Sequence, residues 1–530
     1  MKKQPSHSST SWTIWTLIGS IIFYIIYFSW FTITRLEHLL AHYFDLGIMH
    51  QAVYNSYRAL QTGDFSRMLE ITNPEGSQQF IRMAIHGDII LALLSPFYFI
   101  FSGPQMLLFI QTVALAIGAW AVYRITILVF PEHVHKHILA LVFGISYLLY
   151  TPMQRANIFD FHAVTLATPL LLFMYLYWIE KKFIPMIICV VLSLITKEQT
   201  ALTIAFFALY IIAKNAIVNR GYVGITHFRF GKINKNWKKV ILNQKFPFLL
   251  FLGCITWFIL VMTVIIPQAR GGSHFAISYY GDYGDNTTSV FIGMLKNPVS
   301  VIFTFFKNDP LRYVWFLMGP LCFFSFFAPL QLLIIIPEFA INMLSGSANM
   351  RNIIFHYTAV LQPFIFISTI YGARNLYLLL KRSKYNFVNI YGLNIIIGML
   401  MVSTIFFSIT KSPLPYSFEH DDSATSESPI AKNSLLYWMN ELQDETIKIS
   451  STGKLGPYFS SRRYFYIFSS RYELADYVII YKTELENDFR KEEYQKAYAD
   501  LIKDTRFEKQ YGDVDIEVYR KISLGVFSKI

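Results

Sequence analysis

Four apolar runs, residues 12–33, 246–267, 357–380 and 391–409, decide what this chain can fold into. Each has about the 20 residues that an α-helix needs to cross the hydrocarbon core of a bilayer. In lipid a helix satisfies every backbone N–H and C=O within its own segment, and few other structures do. With 54% of its 530 residues hydrophobic and only 15% charged, the chain is no ordinary soluble enzyme. The runs are mixed rather than strictly alternating, which argues against a transmembrane β-barrel. The expected class is an all-α polytopic membrane protein.

Shorter apolar segments at 105–123, 137–150, 163–178, 183–196, 200–213, 314–327 and 330–344 raise the expected number of crossings to about eleven. The apolar stretches 89–101 and 290–306 read as interfacial. With that alternation, Lys2-Lys3, Arg124 with Lys136, Lys181-Lys182, a basic loop over about 214–245, and Lys381 to Lys384 all fall on one side. Positive charge gathers on the cytoplasmic side, so the N-terminus is expected inside and the C-terminus outside the plasma membrane. The net charge of +12 is then a topology signal, and nucleic acid is not an expected partner. Cys189, Cys254 and Cys322 lie in apolar segments with no metal or disulfide spacing. The histidines of segment 131–137 read as part of a solvated loop.

The expected domains are a transmembrane domain over 1–410, a Ser-rich acidic linker over 411–432 and an extracytoplasmic α/β domain over 433–530. A long first outer loop occupies about 35–88, and its aromatic content predicts short ordered helices on the membrane surface. In the tail, 434–442 has helical spacing, 475–481 reads as a buried strand, 484–503 as a polar helix and 514–520 as an alternating strand.

This topology gathers three acidic motifs on the outer face: Phe44-Asp45-Leu46-Gly47, Phe159-Asp160-Phe161-His162 and Lys197-Glu198. Carboxylates near hydrocarbon are costly, and they usually line a polar cavity or pair with partners. Asp45 reads either as a general base for a hydroxyl or as a helix N-cap. His86 with Asp88, and Asp160 with His162, offer metal-type ligands, but neither segment supplies a third. His162 also suits phosphate when protonated. Lys197-Glu198 reads either as a pair of snorkelling interfacial charges or as an anion site, with Lys197 as the point charge. Arg270, Arg351 and His356 are the other outer cationic candidates. Glu338, beside Pro337 within a span, is not expected to face lipid. No cofactor is assigned; a divalent metal stays open.

In this order, Phe44-Asp45-Leu46-Gly47-Ile48 with Gln51-Ala52, Asp160-Phe161-His162, Lys197-Glu198, Pro337-Glu338 with Asn342 to Ser345, His356-Tyr357, Ser461 to Tyr464 and Ala475-Asp476-Tyr477 resemble one family. It is the bacterial membrane family of domain-of-unknown-function 2079, itself similar to GT-C glycosyltransferases. The family's His-Phe-Ser-Pro stretch reads His86-Gly87-Asp88-Ile89 here. The resemblance implies a GT-C-like fold, a polyprenyl-phosphate sugar donor and an acidic residue on the first outer loop, matched by Asp45. It also implies that Lys197 contacts the lipid phosphate. Asp88, Asp160, His162, Glu198, Arg351 and His356 are the expected substrate-binding residues. The expected acceptor is an envelope polymer, lipid or protein, with membrane lipids around the spans. Two other readings stay open: a transporter or lipid flippase, and a scaffold whose tail binds envelope partners.

Overall fold

The computed structural model describes residues 7–131, 133, 135–218, 244–426 and 431–522. Lys2-Lys3 and residues 219–243 of the basic loop lie outside the described residues. The chain is predominantly helical. Six described helices are long and apolar enough to cross a membrane: Ser11–Glu37, Gln105–Val129, Lys136–Phe159, Lys245–Arg270, Gln362–Leu380 and Asn386–Lys411. The helices Thr287–Lys296 and Pro298–Lys307 meet at 97° and would make a seventh if taken as one broken span. Shorter apolar helices fall at Ile90–Phe99, Ala163–Ile179, Phe183–Leu194, Thr200–Ala216 and Pro329–Leu344.

Two expected segments differ in form. The one at 137–150 belongs to a longer apolar stretch, Lys136–Phe159, interrupted after Leu148 where Pro152 enters the next helix. Proline cannot donate the backbone bond that would continue the first helix. The expected hairpin of regular spans at 314–344 is instead broken into short helices and turns. Pro320, Pro329 and Pro337 break it, and Cys322 and Phe323 both have positive φ. Ser368 Oγ donates to the carbonyls of Ser325 and Ala328 at the break, at 2.9 and 3.0 Å. Such side-chain rescue is how broken backbone survives at membrane depth. Gly372 lets the break pack against the Gln362–Leu380 helix, since a Cβ there would lie 1.8 Å from Phe324 O.

The first loop folds with the tail. It contains the helix Ile48–Thr62 and an antiparallel hairpin of β1 (Glu70–Thr72) and β2 (Gln79–Ile81). The tail holds a five-stranded mixed sheet in the order β4-β3-β5-β7-β6, with β3 Ile449–Ser451, β4 Phe465–Ile467, β5 Tyr477–Tyr481, β6 Phe507–Gly512 and β7 Ile516–Lys521. β3 runs parallel to β4 and β5, and β7 runs antiparallel to β5 and β6. Loop and tail share one hydrophobic core, in which the Tyr43 and Phe465 rings lie 4.5 Å apart. His50, Gln51 and Asn55 are fully buried, and the Gln51 amide donates to the carbonyls of Arg462 and Arg463. Arg58 and Arg67 both pair with Glu445, and Arg463 pairs with Glu70. The polar 484–503 stretch forms two helices, Glu484–Asn487 and Lys491–Leu501. The bend between them presents Phe489.

Candidate functional site

Where the first loop, the tail and the bundle meet, they enclose a cavity of about 770 Å³. Asp45, His162, Lys197, Glu198 and His356 all line it, so the structure brings together most of the residues singled out in the sequence. Phe258, Met262 and Met294 give it an apolar side, and Phe489 reaches it from the tail.

Asp45 lies in a wide helical turn, Tyr43–Gly47, anchored by the buried Tyr43. Its Oδ1 is 3.0 Å from His162 Nε2. Burial pushes the Asp45 carboxyl up, but the hydrogen bond and charge of His162 outweigh it and hold the group below its ordinary value. Asp45 is therefore a carboxylate near neutral pH, and His162 presents Nε2–H to it. The N-cap reading does not hold, because no backbone N–H is capped by the Asp45 side chain.

His162 is aimed by strained backbone. Asp160 has φ 153° and ψ 175°, a region that residues with a Cβ rarely occupy. Gln111 holds the distortion: its amide donates to Asp160 O at 2.9 Å, and its Oε1 accepts from His162 N at 2.9 Å. The Asp160 carboxyl turns away from the cavity and accepts the His42 N–H at 3.2 Å. Burial drives it well above the usual carboxylate range, against the pull of Arg35. Beneath His162 lies His356, the two rings stacked at 3.7 Å. Burial, then the neighbouring His162, depress His356 well below the usual histidine range.

On another wall, Glu198 accepts Gly87 N–H at 2.9 Å and lies 3.0 Å from His86 Nδ1 and 3.3 Å from His274 Nε2. Burial alone would raise its pKa; the neighbouring His86 and His274 overcome that and hold it well below its ordinary value. Lys197 is 8% exposed, and its amine sits over the Tyr357 ring at 5.7 Å. Among the described residues no carboxylate lies within ion-pair distance of it. A nearly buried cation outside any ion pair and facing a cavity suits an anion, though its charge is also felt by the buried Glu338.

Two expected binding residues are otherwise engaged. Asp88 lines the cavity but is bound by Arg82, at 2.9 Å to Nε and 2.8 Å to Nη2. The Arg351 guanidinium donates to the carbonyls of Asn342, Ser345 and Ser347 and closes the end of the Ile336–Leu344 helix. Sequence reasoning missed the position of His274 in the cavity. It also missed Phe489, whose signal is an aromatic between two charged residues in a polar stretch.

No curated protein matches the chain. One family model, described as "Predicted membrane protein (DUF2079)", matches residues 35–517, from the end of the first span to the last strand of the tail. That match takes in every wall of the cavity and the loop–tail core, and the chain belongs to this family of predicted membrane proteins.

Proposed function

We propose that this chain is a glycosyltransferase-like membrane enzyme that moves a sugar from a polyprenyl-phosphate donor to an extracytoplasmic acceptor. The fold in this reading is GT-C-like, with about eleven crossings, the shorter apolar helices and broken segments supplying those beyond the six long ones. The N-terminus is cytoplasmic and the tail extracytoplasmic; the shared core of first loop and tail supports placing both on one side. The acceptor is an envelope polymer, lipid or protein.

The observation that carries the reading is one cavity holding a carboxylate, a cation outside any ion pair and an apolar side: Asp45, Lys197, and Phe258 with Met262. Asp45 takes the proton of the acceptor hydroxyl. The acceptor oxygen forms its bond to the anomeric carbon as the bond from that carbon to the phosphate oxygen breaks. Lys197 meets the charge that grows on the departing phosphate, and the apolar side takes the first isoprene units. His162 keeps Asp45 ionised and oriented.

The 97° bend at Asn297 also suits a transporter or flippase, whose binding sites often lie at broken helices. Incubating purified protein with labelled polyprenyl-phosphate sugars and a membrane extract as acceptor separates the two. Wild type is expected to release polyprenyl phosphate with a covalent glycosylated product, and Asp45→Asn to be slower by about 10²–10⁴-fold. Equal transfer by both proteins removes Asp45 from the chemistry, and accumulation in proteoliposomes without covalent product favours transport.

A further inference from the structure

His86, Glu198 and His274 come from widely separated segments. His86 follows the turn Arg82–Ala84, Glu198 joins the Phe183–Leu194 and Thr200–Val218 helices, and His274 opens the turn Phe275–Tyr280. One ligand atom from each lies within 4.8 Å of the other two. The two distances to Glu198 Oε1 are 3.0 Å from His86 Nδ1 and 3.3 Å from His274 Nε2. A tetrahedral ion with bonds of about 2.0–2.1 Å separates its ligand atoms by roughly 3.3 Å. The spacing is already that of a coordination edge. We propose that these side chains bind one first-row transition metal ion of the Zn²⁺ kind, with an open position toward the cavity.

Glu198 is 5% and His274 3% exposed, and His274 Nε2 makes no well-formed hydrogen bond. The second Glu198 oxygen is fixed by Gly87 N–H, an outer contact that orients the ligand. Two imidazoles and one carboxylate favour Zn²⁺ over Mg²⁺ and Ca²⁺, which prefer oxygen throughout. Asp88, the acid nearest His86 in sequence, is withheld by Arg82. One interaction must be given up. His274 Nδ1 accepts the Ala276 N–H at 2.9 Å, so the ring proton of the ion-free form sits on Nε2. The ion replaces that proton, Nδ1 takes one up, and the ring turns from Ala276. Gly271, at φ 76°, and Gly272 have open space around them and leave the loop free to follow.

The open position shares its cavity with Lys197, so the ligand class is an anionic oxygen of a phosphate ester, which such an ion polarises as a Lewis acid. That ligand rests on the transfer reading; the metal site rests on the geometry alone.

The test uses the full chain in detergent, stripped with EDTA and titrated with Zn²⁺ against a chromophoric chelator. One equivalent is expected to bind, with affinity lowered at least about tenfold in His274→Ala and in Glu198→Gln. His42→Ala serves as the control: its partners Glu484 and Asp488 stand 3.9 and 3.6 Å away, wider than a coordination edge. That variant is expected to bind as wild type does. Should the site variants aggregate, Co²⁺ on wild type decides: intense visible bands of a tetrahedral nitrogen–oxygen site support the proposal, and the weak bands of hydrated Co²⁺ overturn it. Absence of a tight equivalent, or unchanged affinity in both site variants, overturns it as well. Zn²⁺ binding without sugar transfer leaves the site standing and removes the transfer reading; transfer without tight Zn²⁺ does the reverse.

Discussion

The His162 ring lies on the His356 ring with centroids 3.7 Å apart while its Nε2 reaches the Asp45 carboxylate at 3.0 Å. The stack fixes the plane of His162, and that plane fixes the direction of the hydrogen bond. His356 is thus a positioning residue. His356→Phe keeps the flat surface and is expected to retain most activity, whereas His356→Ala is expected to lower kcat about 10–100-fold with little change in KM. Equal rates for the two variants would show that the stack does not matter.

Asp160 and Asp45 are neighbours whose carboxyls are shifted in opposite directions. Burial raises Asp160, whose carboxyl oxygen accepts the His42 N–H. An amide oxygen can accept the same bond. Asp160→Asn is therefore expected to stay within about threefold of wild-type transfer, since asparagine also tolerates unusual backbone angles. The contrast with Asp45→Asn in the same assay checks the assignment.

At Gly456 the tail packs closely on the first loop. A Cβ there would lie 2.4 Å from Tyr43 Cβ, an atom fixed to the backbone. Gly456→Ala is expected to weaken the loop–tail core by about 1–3 kcal/mol. Limited proteolysis of the purified protein should cut residues 412–430 faster in the variant. An unchanged cleavage rate would mean that the two parts yield without separating.

Glu484 gives that core a pH dependence. Burial raises its carboxyl from 4.5 to about 7, against a hydrogen bond from Thr452 and the charge of His42. A raised carboxyl pKa disfavours the folded state only once the group ionises in the unfolded chain. The penalty is therefore absent below about pH 4.5, grows as pH rises toward 7, and is complete above it. Glu484→Gln removes it, for a gain on the order of 2–3 kcal/mol at pH 8 and little at pH 4.5. Melting curves of the variant and wild type at the two pH values check the sign.

Much of the bundle was legible because length and hydropathy fix a span regardless of its neighbours, as with 12–33 and 391–409. The break at Cys322-Phe323 was not legible: hydropathy is blind to φ, and only the packing against Gly372 explains it. The strand at 475–481 showed as a buried apolar run and that at 514–520 through its alternation, but the docking of tail on loop rests on buried polar residues such as His50 and Gln51. Their partners lie some four hundred residues away. At the site, Asp45, His162, Lys197 and Glu198 stood out because charge beside apolar segments is rare. His86 looked incomplete as a ligand because spacing along the chain cannot show Glu198 and His274 folding back onto it.

On the proposed function, the cavity beside Asp45 and Lys197 receives a lipid-linked phosphate, and a cryo-EM structure with a short-chain polyprenyl phosphate bound checks this. The phosphate is expected beside Lys197, within reach of Asp45, with the chain leaving along Phe258 and Met262. A phosphate bound elsewhere, with this cavity closed to it, would overturn that role.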